Sequence, residues 1–421
     1  MLVYKFGGAS VSTIVNIRNA GEIIRTQPNN HHVLTVVSAI GKTTNALENV
    51  AHAYYNENTQ QALDLFEVIK QQHLSMAKDL LVNERTNCEN QLLDFFTEVE
   101  WLLHDKPVRH FDYYYDQIVC IGELLSTSIF SHYLTEAGIE NIWVDVRDIL
   151  RTNDNFREAV LDREYSALQI EQQILPLFRE SKIVITQGFI GSTTDNESTT
   201  FGREGSDYTG AIFANLLNAE SLTIWKDVPS VMNADPKQFD FATPLPVLSY
   251  DEVIEMAFYG AQIIHPKTIK PIHDKDIPLL VKCFLDPALP GTVISKIKTK
   301  IDTPVVILKE NQALIKFQSK SYDFVGEQAV SELYQLMKRL FIKPNMTQIG
   351  AINFTAVYDN ISDKVQQLAL EADKLFDVQI INDLQMLTIR HYNPEIIERL
   401  TADKEILLIQ KTKETIQLLM R

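Results

Sequence analysis

Between Thr186 and Ala211 the chain is dense in hydroxyls and glycines, and it ends in Gly202-Arg203-Glu204-Gly205-Ser206-Asp207 directly ahead of an apolar helical pattern. Such a run cannot bury much apolar surface. It presents backbone N–H groups, hydroxyls, a guanidinium and a carboxylate at a helix N-terminus, where aligned peptide dipoles favour an anion. Ordinary helix capping by Ser206 or Asp207 is the competing reading. A second segment, Lys5-Phe6-Gly7-Gly8-Ala9-Ser10, sets a lysine at the end of a short strand, beside a turn whose glycines let backbone N–H groups approach a phosphate closely. Two other phosphate motifs are excluded. Gly41-Lys42-Thr43 has the tail of a P-loop, but Val36 stands where GxxxxGK[ST] requires glycine. A GxGxxG run is also missing, so dinucleotide binding has no support.

The elements that must carry these residues alternate. Leu2–Phe6 reads as a strand and residues from Ile14 as a helix; His32–Ser38, apolar nearly throughout, reads as a strand of a parallel sheet covered on both faces. From Asn45 to about Leu134 the apolar spacing is helical, which predicts a helical subdomain inserted between strands. Strands resume at 141–145, 183–186 and 222–225, with helices over 207–217 and 250–260, and a strand over 277–282 closes an α/β body reaching about Ser295. Asp286-Pro287, Pro290-Gly291 and the lysine-rich run 296–300 read as a linker. Beyond it, strand, helix, two strands (346–349 and 351–358), helix and two strands (378–381 and 386–389) approximate a split βαβ plan. Residues 394–421 read as helix, strand over 406–409 and a last helix, too short for a complete second copy.

A length of 421 residues predicts two or three domains. The net charge of −16 repels phosphate backbones and anionic lipid, which argues against nucleic-acid or membrane partners and requires a local positive pocket for an anionic substrate. Cys88, Cys120 and Cys283 are far apart and lack metal-ligand spacing, as expected of reduced thiols in a cytoplasmic protein. No signal peptide and no run of about 18 apolar residues stands out.

Eight segments occur in an order that resembles the aspartokinases: Lys5 to Val11, Ser38-Ala39 with Thr44, Gly122 to Ser126, Arg151 to Asp154, Phe201 to Thr209, Lys226 to Pro229, Ala234 to Pro236, and His265-Pro266. The resemblance covers residues 1 to about 295 strongly. It is weaker in 305–421, which looks like the family's ACT regulatory region with a truncated second unit. It implies an α/β fold of the amino-acid-kinase type, a three-layer sandwich on a mainly parallel sheet, followed by an α+β ferredoxin-like region. It also implies transfer of the γ-phosphoryl group of ATP, with Mg²⁺, to the side-chain carboxylate of L-aspartate, at the first step of lysine, threonine and methionine biosynthesis, and a homodimer formed through the ACT-like region. Lys5 and Asp207 would be catalytic. Ser38, Thr44, Glu123, Arg203 and Ser206 would bind substrate, Arg203 through its carboxylate and Glu123 through its ammonium. Lys5, Gly7, Gly8, Lys226, Asp227, Met232, Lys237 and Gln262 would surround the nucleotide, and no side-chain metal site is implied.

This sequence departs from the family pattern at several of these positions. Lys226 replaces a common threonine, Met232 a tyrosine, Lys237 an arginine, Gln262 a lysine near the phosphates and Glu204 a glycine. Two alternatives therefore stand beside an aspartate kinase: a kinase for another amino acid, and an amino-acid-binding sensor or partner subunit of the same fold.

Overall fold

The computed structural model describes residues 1–27, 31–297, 301–320 and 324–421. Two compact units divide the chain: the first takes Met1–Val231, Pro244–Ile254 and the segment from Ile263 to the linker, and the second takes Met232–Thr243, Glu255–Gln262 and the chain beyond the linker.

The first unit is built on an eight-stranded sheet. Its strands are β1 (Leu2–Phe6), β2 (Val33–Val37), β3 (Ile142–Val144), β4 (Ile183–Gln187), β7 (Ser221–Lys226), β8 (Val247–Ser249), β9 (Leu279–Cys283) and β10 (Thr292–Ser295), in the order β3-β4-β2-β1-β7-β9-β10-β8. The short pair β5 (Ile190–Ser192) and β6 (Ser198–Thr200) lies outside it. All neighbours run parallel except β9 and β10. The central strands β1, β2 and β4 are almost wholly buried, and β2 and β4 accordingly carry runs rich in β-branched residues instead of alternating apolar and charged ones. A helix over Gly205–Leu216 packs on β1, β2 and β7, and one over Ile121–Glu136 on β2, β3 and β4.

The expected helical subdomain is present as five helices, Thr43–Tyr55, Thr59–Leu80, Arg85–His104, Phe111–Val119 and Ile121–Glu136. Asn58 caps the second by accepting from the N–H of Gln61, and the Glu136 carboxylate accepts the N–H groups of Asn83 and Glu84 at the start of the third. The continuous stretch Phe111–Glu136 is long and apolar enough to cross a membrane by composition, contrary to the reading of the sequence. Its most apolar window is nevertheless 78% buried inside the protein, as expected of a core helix. The three cysteines are all unpaired and buried. Burial pushes the thiols of Cys88 and Cys120 up to about 12.

The segment from Asp286 to Gly291 is not a linker. It is the turn of a hairpin: β10 returns antiparallel to β9, and Gly291, at φ +72°, makes a turn in which an added Cβ would meet the carbonyl of Val281 at 2.2 Å. The lysine-rich part of the expected linker falls partly outside the described residues.

The second unit is a six-stranded antiparallel sheet, β12-β13-β11-β14-β16-β15, from β11 (Val305–Ser319), β12 (Met346–Ile349), β13 (Asn353–Asp359), β14 (Phe376–Arg390), β15 (Ile406–Lys411) and β16 (Thr415–Met420). Helices Glu327–Arg339 and Ser362–Ala372 bury Leu333, Met337, Val365 and Leu368 against Phe317, Phe354 and Tyr358. A third, Pro394–Thr401, packs beside Val306, Leu387, Ile389 and Leu418. Two expectations are corrected here. The separate strands 378–381 and 386–389 are one strand, β14, which pairs along β11 through a register shift near Gln312. The C-terminal segment is a strand and not a helix, because Thr415–Met420 inserts between β14 and β15 and is buried at every position. In a six-residue apolar run, periodicity does not separate the two states.

Candidate active site

The carboxyl ends of β1, β2, β4 and β7 open into a cleft of about 1160 Å³. Ligands of parallel α/β sheets bind at such ends, where loops diverge from the strands. Each end delivers one part. After β1, Gly7 leads into a single 3₁₀ turn, Gly8–Val11, and Gly8 approaches the next loop so closely that a Cβ would meet the carbonyl oxygens of Ala39 and Gly41 at 2.8 and 2.9 Å. The Gly41 N–H donates to the Gly8 carbonyl at 3.0 Å, which locks the first two loops together. After β2 come Ser38, Ala39, Gly41 and Thr44; after β7 come Lys226 and Asp227.

Lys5, at the penultimate position of β1, and Asp207, in the first turn of helix Gly205–Leu216, meet on the cleft wall. Nζ of Lys5 stands 2.5 Å from Oδ1 of Asp207, with the two residues only 8% and 4% exposed. The contact is a charge-assisted one between an ammonium and a carboxylate. Burial alone would raise the Asp207 pKa, but the positive charges of Lys5 and Lys226 outweigh it and hold the carboxyl below its ordinary value. Asp207 is therefore an anion at neutral pH and keeps Lys5 in place.

Glu123 sits in the first turn of helix Ile121–Glu136 and is 3% exposed. Its Oε1 accepts the Ala39 N–H at 3.2 Å, whereas Oε2 is buried with no partner. Burial drives its pKa up to about 8 against the smaller opposing effects of the Ala39 and Glu123 backbone N–H groups and of Lys5. A buried carboxyl with its pKa raised in this way, on the wall of a cleft, marks a candidate functional group.

Arg203, Ser206 and Glu204 also line the cleft. Arg203 is exposed, as a residue that receives a solvated ligand would be. Glu204 is the N-cap of the helix in left-handed conformation, φ +56°, and its Oε2 is buried without a partner. Lys226 lines the cleft, and its ammonium donates to the carbonyl of Ile263. Met232, Lys237 and Gln262, grouped with the nucleotide by resemblance, are not among the cleft residues; they belong to the second unit.

One functional residue went unread in the sequence. Asp116 of helix Phe111–Val119 is fully buried and accepts three hydrogen bonds: Oδ2 from the N–H of Arg157 at 2.9 Å and of Thr200 at 2.8 Å, and Oδ1 from the Thr200 hydroxyl at 2.8 Å. Burial raises its pKa to about 6, opposed by those three donors and the Arg157 charge. It thereby ties the helical lobe to the Asn155–Glu158 rim and to the strand that leads into Phe201–Ser206. The one sequence signal was an acid inside an aromatic-rich helix, at Tyr114-Tyr115-Asp116-Gln117-Ile118.

Residues 1–283 match the model of the amino acid kinase family, so the chain belongs to that family. Among curated proteins it is 29% identical over 407 residues to lysine-sensitive aspartokinase 3 of Escherichia coli (strain K12), covering 92% of this chain and 86% of that one. It is 29% identical over 371 residues to chloroplastic aspartokinase 1 of Arabidopsis thaliana, covering 85% of this chain but only 63% of the relative. The chain thus spans less than two thirds of the Arabidopsis relative's own length. Among solved structures, E. coli aspartokinase III superposes over 100% of this chain at 26% identity, with a TM-score of 0.83 in complex with lysine and aspartate (T-state, 95% of that chain) and 0.79 with aspartate and ADP (R-state, 96%). The α/β fold on a mainly parallel sheet and the ACT-like antiparallel region are those of these structures.

Proposed function

We propose that this chain is an aspartate kinase, transferring the γ-phosphoryl group of ATP to the side-chain carboxylate of L-aspartate to give 4-phospho-L-aspartate, the first step of lysine, threonine and methionine synthesis. One observation carries the reading: the buried Lys5–Asp207 pair shares a single cleft with Glu123 and Arg203. The similar E. coli aspartokinase III with aspartate and ADP supports it.

The acceptor needs no general base. A carboxylate with a pKa near ~3.9 is already ionised at neutral pH, so catalysis reduces to alignment and charge neutralisation. Lys5 would bind phosphate oxygens and stabilise charge on the transferring group, while Gly7 and Gly8 bring backbone donors close. Asp207 orients Lys5. Arg203 would take the substrate α-carboxylate through paired hydrogen bonds, Glu123 its ammonium, and Ser38, Thr44 and Ser206 would add hydroxyl contacts.

The cleft suits a nucleotide with its metal: a closely packed glycine turn and Lys5 are of the types that hold phosphates, and the carboxylates of Asp207 and Glu204 of the type that holds the water shell of Mg²⁺. The metal would supply screening of phosphate charge. No group of three acidic, His or Cys side chains suited to a metal occurs among the described residues, so the metal would arrive with the nucleotide and keep much of its water. Of the residues expected around the nucleotide, Lys5, Gly7, Gly8, Lys226 and Asp227 line this cleft. A cytoplasmic location and a homodimer formed through the ACT-like region complete the proposal; sedimentation velocity reads the latter.

The direct test is ADP release with L-aspartate, L-glutamate and other amino acids, with acyl phosphate trapped as hydroxamate. Aspartate-dependent hydroxamate is expected. Binding of ATP and aspartate without it would instead support a sensor of the same fold, and hydroxamate with another amino acid only would move the substrate assignment.

A further inference from the structure

The His265-Pro266 motif has no part in the chemistry proposed above, yet it starts helix Pro266–His273 in a defined way. Nδ1 of the His265 ring accepts the Lys267 N–H at 3.2 Å, and Pro266 takes the first helical position, where a missing N–H costs nothing. The helix packs along helix Gly205–Leu216, whose buried Asn215 donates from Nδ2 to the Pro271 carbonyl at 2.6 Å. This start delivers Lys267 to the turn that carries Arg203. The Lys267 ammonium donates to the Phe201 carbonyl at 2.8 Å, lies 4.9 Å from the centre of the Tyr208 ring and stands 3.8 Å from Oε2 of Glu158. Phe201 is fully buried, its ring edge-on to Tyr208. Gly202 then turns at φ +72°, where an added Cβ would meet Oε1 of Glu158 at 2.5 Å, and the Gly205 N–H closes the turn on the Gly202 carbonyl at 3.0 Å. Arg203 lies between these two glycines with its side chain exposed, so the backbone of the turn sets its reach. Lys267 does not line the cleft, whereas Glu158, Gly202, Arg203 and Ser206 do.

We propose that Lys267 is a positioning residue for the acceptor substrate: its ammonium fixes the Phe201 carbonyl and thereby holds the Gly202–Gly205 turn where Arg203 meets the substrate α-carboxylate. The substrate half of this inference rests on the aspartate kinase reading; the hold on the turn does not. The bond to the carbonyl is charge-assisted and so stronger than a neutral one. The Glu158 carboxylate is 67% exposed, and its pairing with Lys267 adds little. The nucleotide side of the cleft is held separately, because the ammonium of Lys226 donates to the carbonyl of Ile263, ahead of the same helix. Loss of the Lys267 charge therefore acts on the acceptor and not on ATP.

Lys267→Met keeps an apolar stem against Tyr208 and deletes the charge and the donor, whereas Lys267→Arg keeps both. In Lys267→Met, KM for aspartate should rise about five- to tenfold while KM for ATP stays within about twofold of the native value, and Lys267→Arg should recover most of the loss. A double-mutant cycle separates positioning from general stability. In an Arg203→Ala background, Lys267→Met should lower kcat/KM for aspartate no further, because the group it positions is gone. Hydrogen exchange reads the turn without any substrate: peptides covering Phe201–Asp207 should exchange faster in Lys267→Met and not in Lys267→Arg, with peptides of the central strands unchanged. Unaltered exchange in that turn, equal rises in both KM values, or additive effects in the cycle would each overturn the inference. If the native chain forms no aspartate-dependent hydroxamate, the substrate assignment falls, and the exchange result alone decides whether Lys267 holds the turn.

Discussion

Glu123 behaves as a titratable contact and not as a permanent charge. With its pKa raised to about 8 by burial, it is mostly protonated at pH 7 when no cation faces it. An arriving ammonium would favour the ionised form, so aspartate binding at pH 7 is expected to release close to one proton. Calorimetric titration in buffers of different ionisation enthalpy measures that number, and Glu123→Gln should reduce it to near zero. The same shift has a stability consequence. Because the folded pKa lies above the ordinary 4.5, the protonated form is favoured by the fold, and this contribution is full below pH 4.5 and lost as pH rises through about 8. Asp207 has the opposite sign: its lowered pKa contributes stability at neutral pH that disappears as acid protonates it. For Lys5, truncation to alanine removes the cation from Asp207 and, in the proposed mechanism, from the phosphates. Turnover should fall by at least about 100-fold, in line with the loss of one preorganised stabilising group, and near-normal kcat in a folded Lys5→Ala protein would contradict its role.

At the scale of elements, strand ends and turns place the chemistry, and two substitutions test that placement. Asp116→Leu keeps roughly the shape of the side chain but leaves the N–H groups of Arg157 and Thr200 without an acceptor. A loss of about 1–3 kcal/mol is expected, seen as a lower Tm, with kcat/KM for aspartate reduced because the loops at Arg157 and Thr200 lose their tie. A lower Tm with unaltered kcat/KM would reduce Asp116 to a purely structural residue. Gly8→Ala forces a methyl against two backbone oxygens, which cannot rotate away as a side chain would. Weaker nucleotide binding is expected from equilibrium dialysis, since the two loops must part to accept it.

The sequence made β2, β4 and the helical lobe legible because each has a sustained apolar pattern, and β1 because Gly7-Gly8 stops a short strand. It also brought Lys5, Glu123, Arg203 and Asp207 forward, because each lies in an ordered motif at a strand or helix end. The C-terminal strand Thr415–Met420 was hidden because its six residues fit either periodicity and only pairing with β14 decides between them. Asp116 was hidden because its partners are backbone groups 41 and 84 residues away, a relation that no local spacing encodes.

For the whole molecule, two units with separate cores, one around the parallel sheet and one around Phe317, Phe354 and Tyr358, give the chain two places at which to lose structure. Differential scanning calorimetry should therefore resolve two transitions. ADP with aspartate should move only the transition of the unit carrying the cleft, by mass action on its folded form; a single transition shifted as a whole would show instead that the units melt together. The native thiols have a practical consequence at this scale. Each is sheltered, and the two near Ser128 and Arg147 hold their protons far above working pH. Maleimide reagents should consequently leave the untouched protein almost blank. One cysteine engineered onto the surface would then report alone, so fluorophores or spin labels could follow each unit without first stripping the chain of its own sulfur.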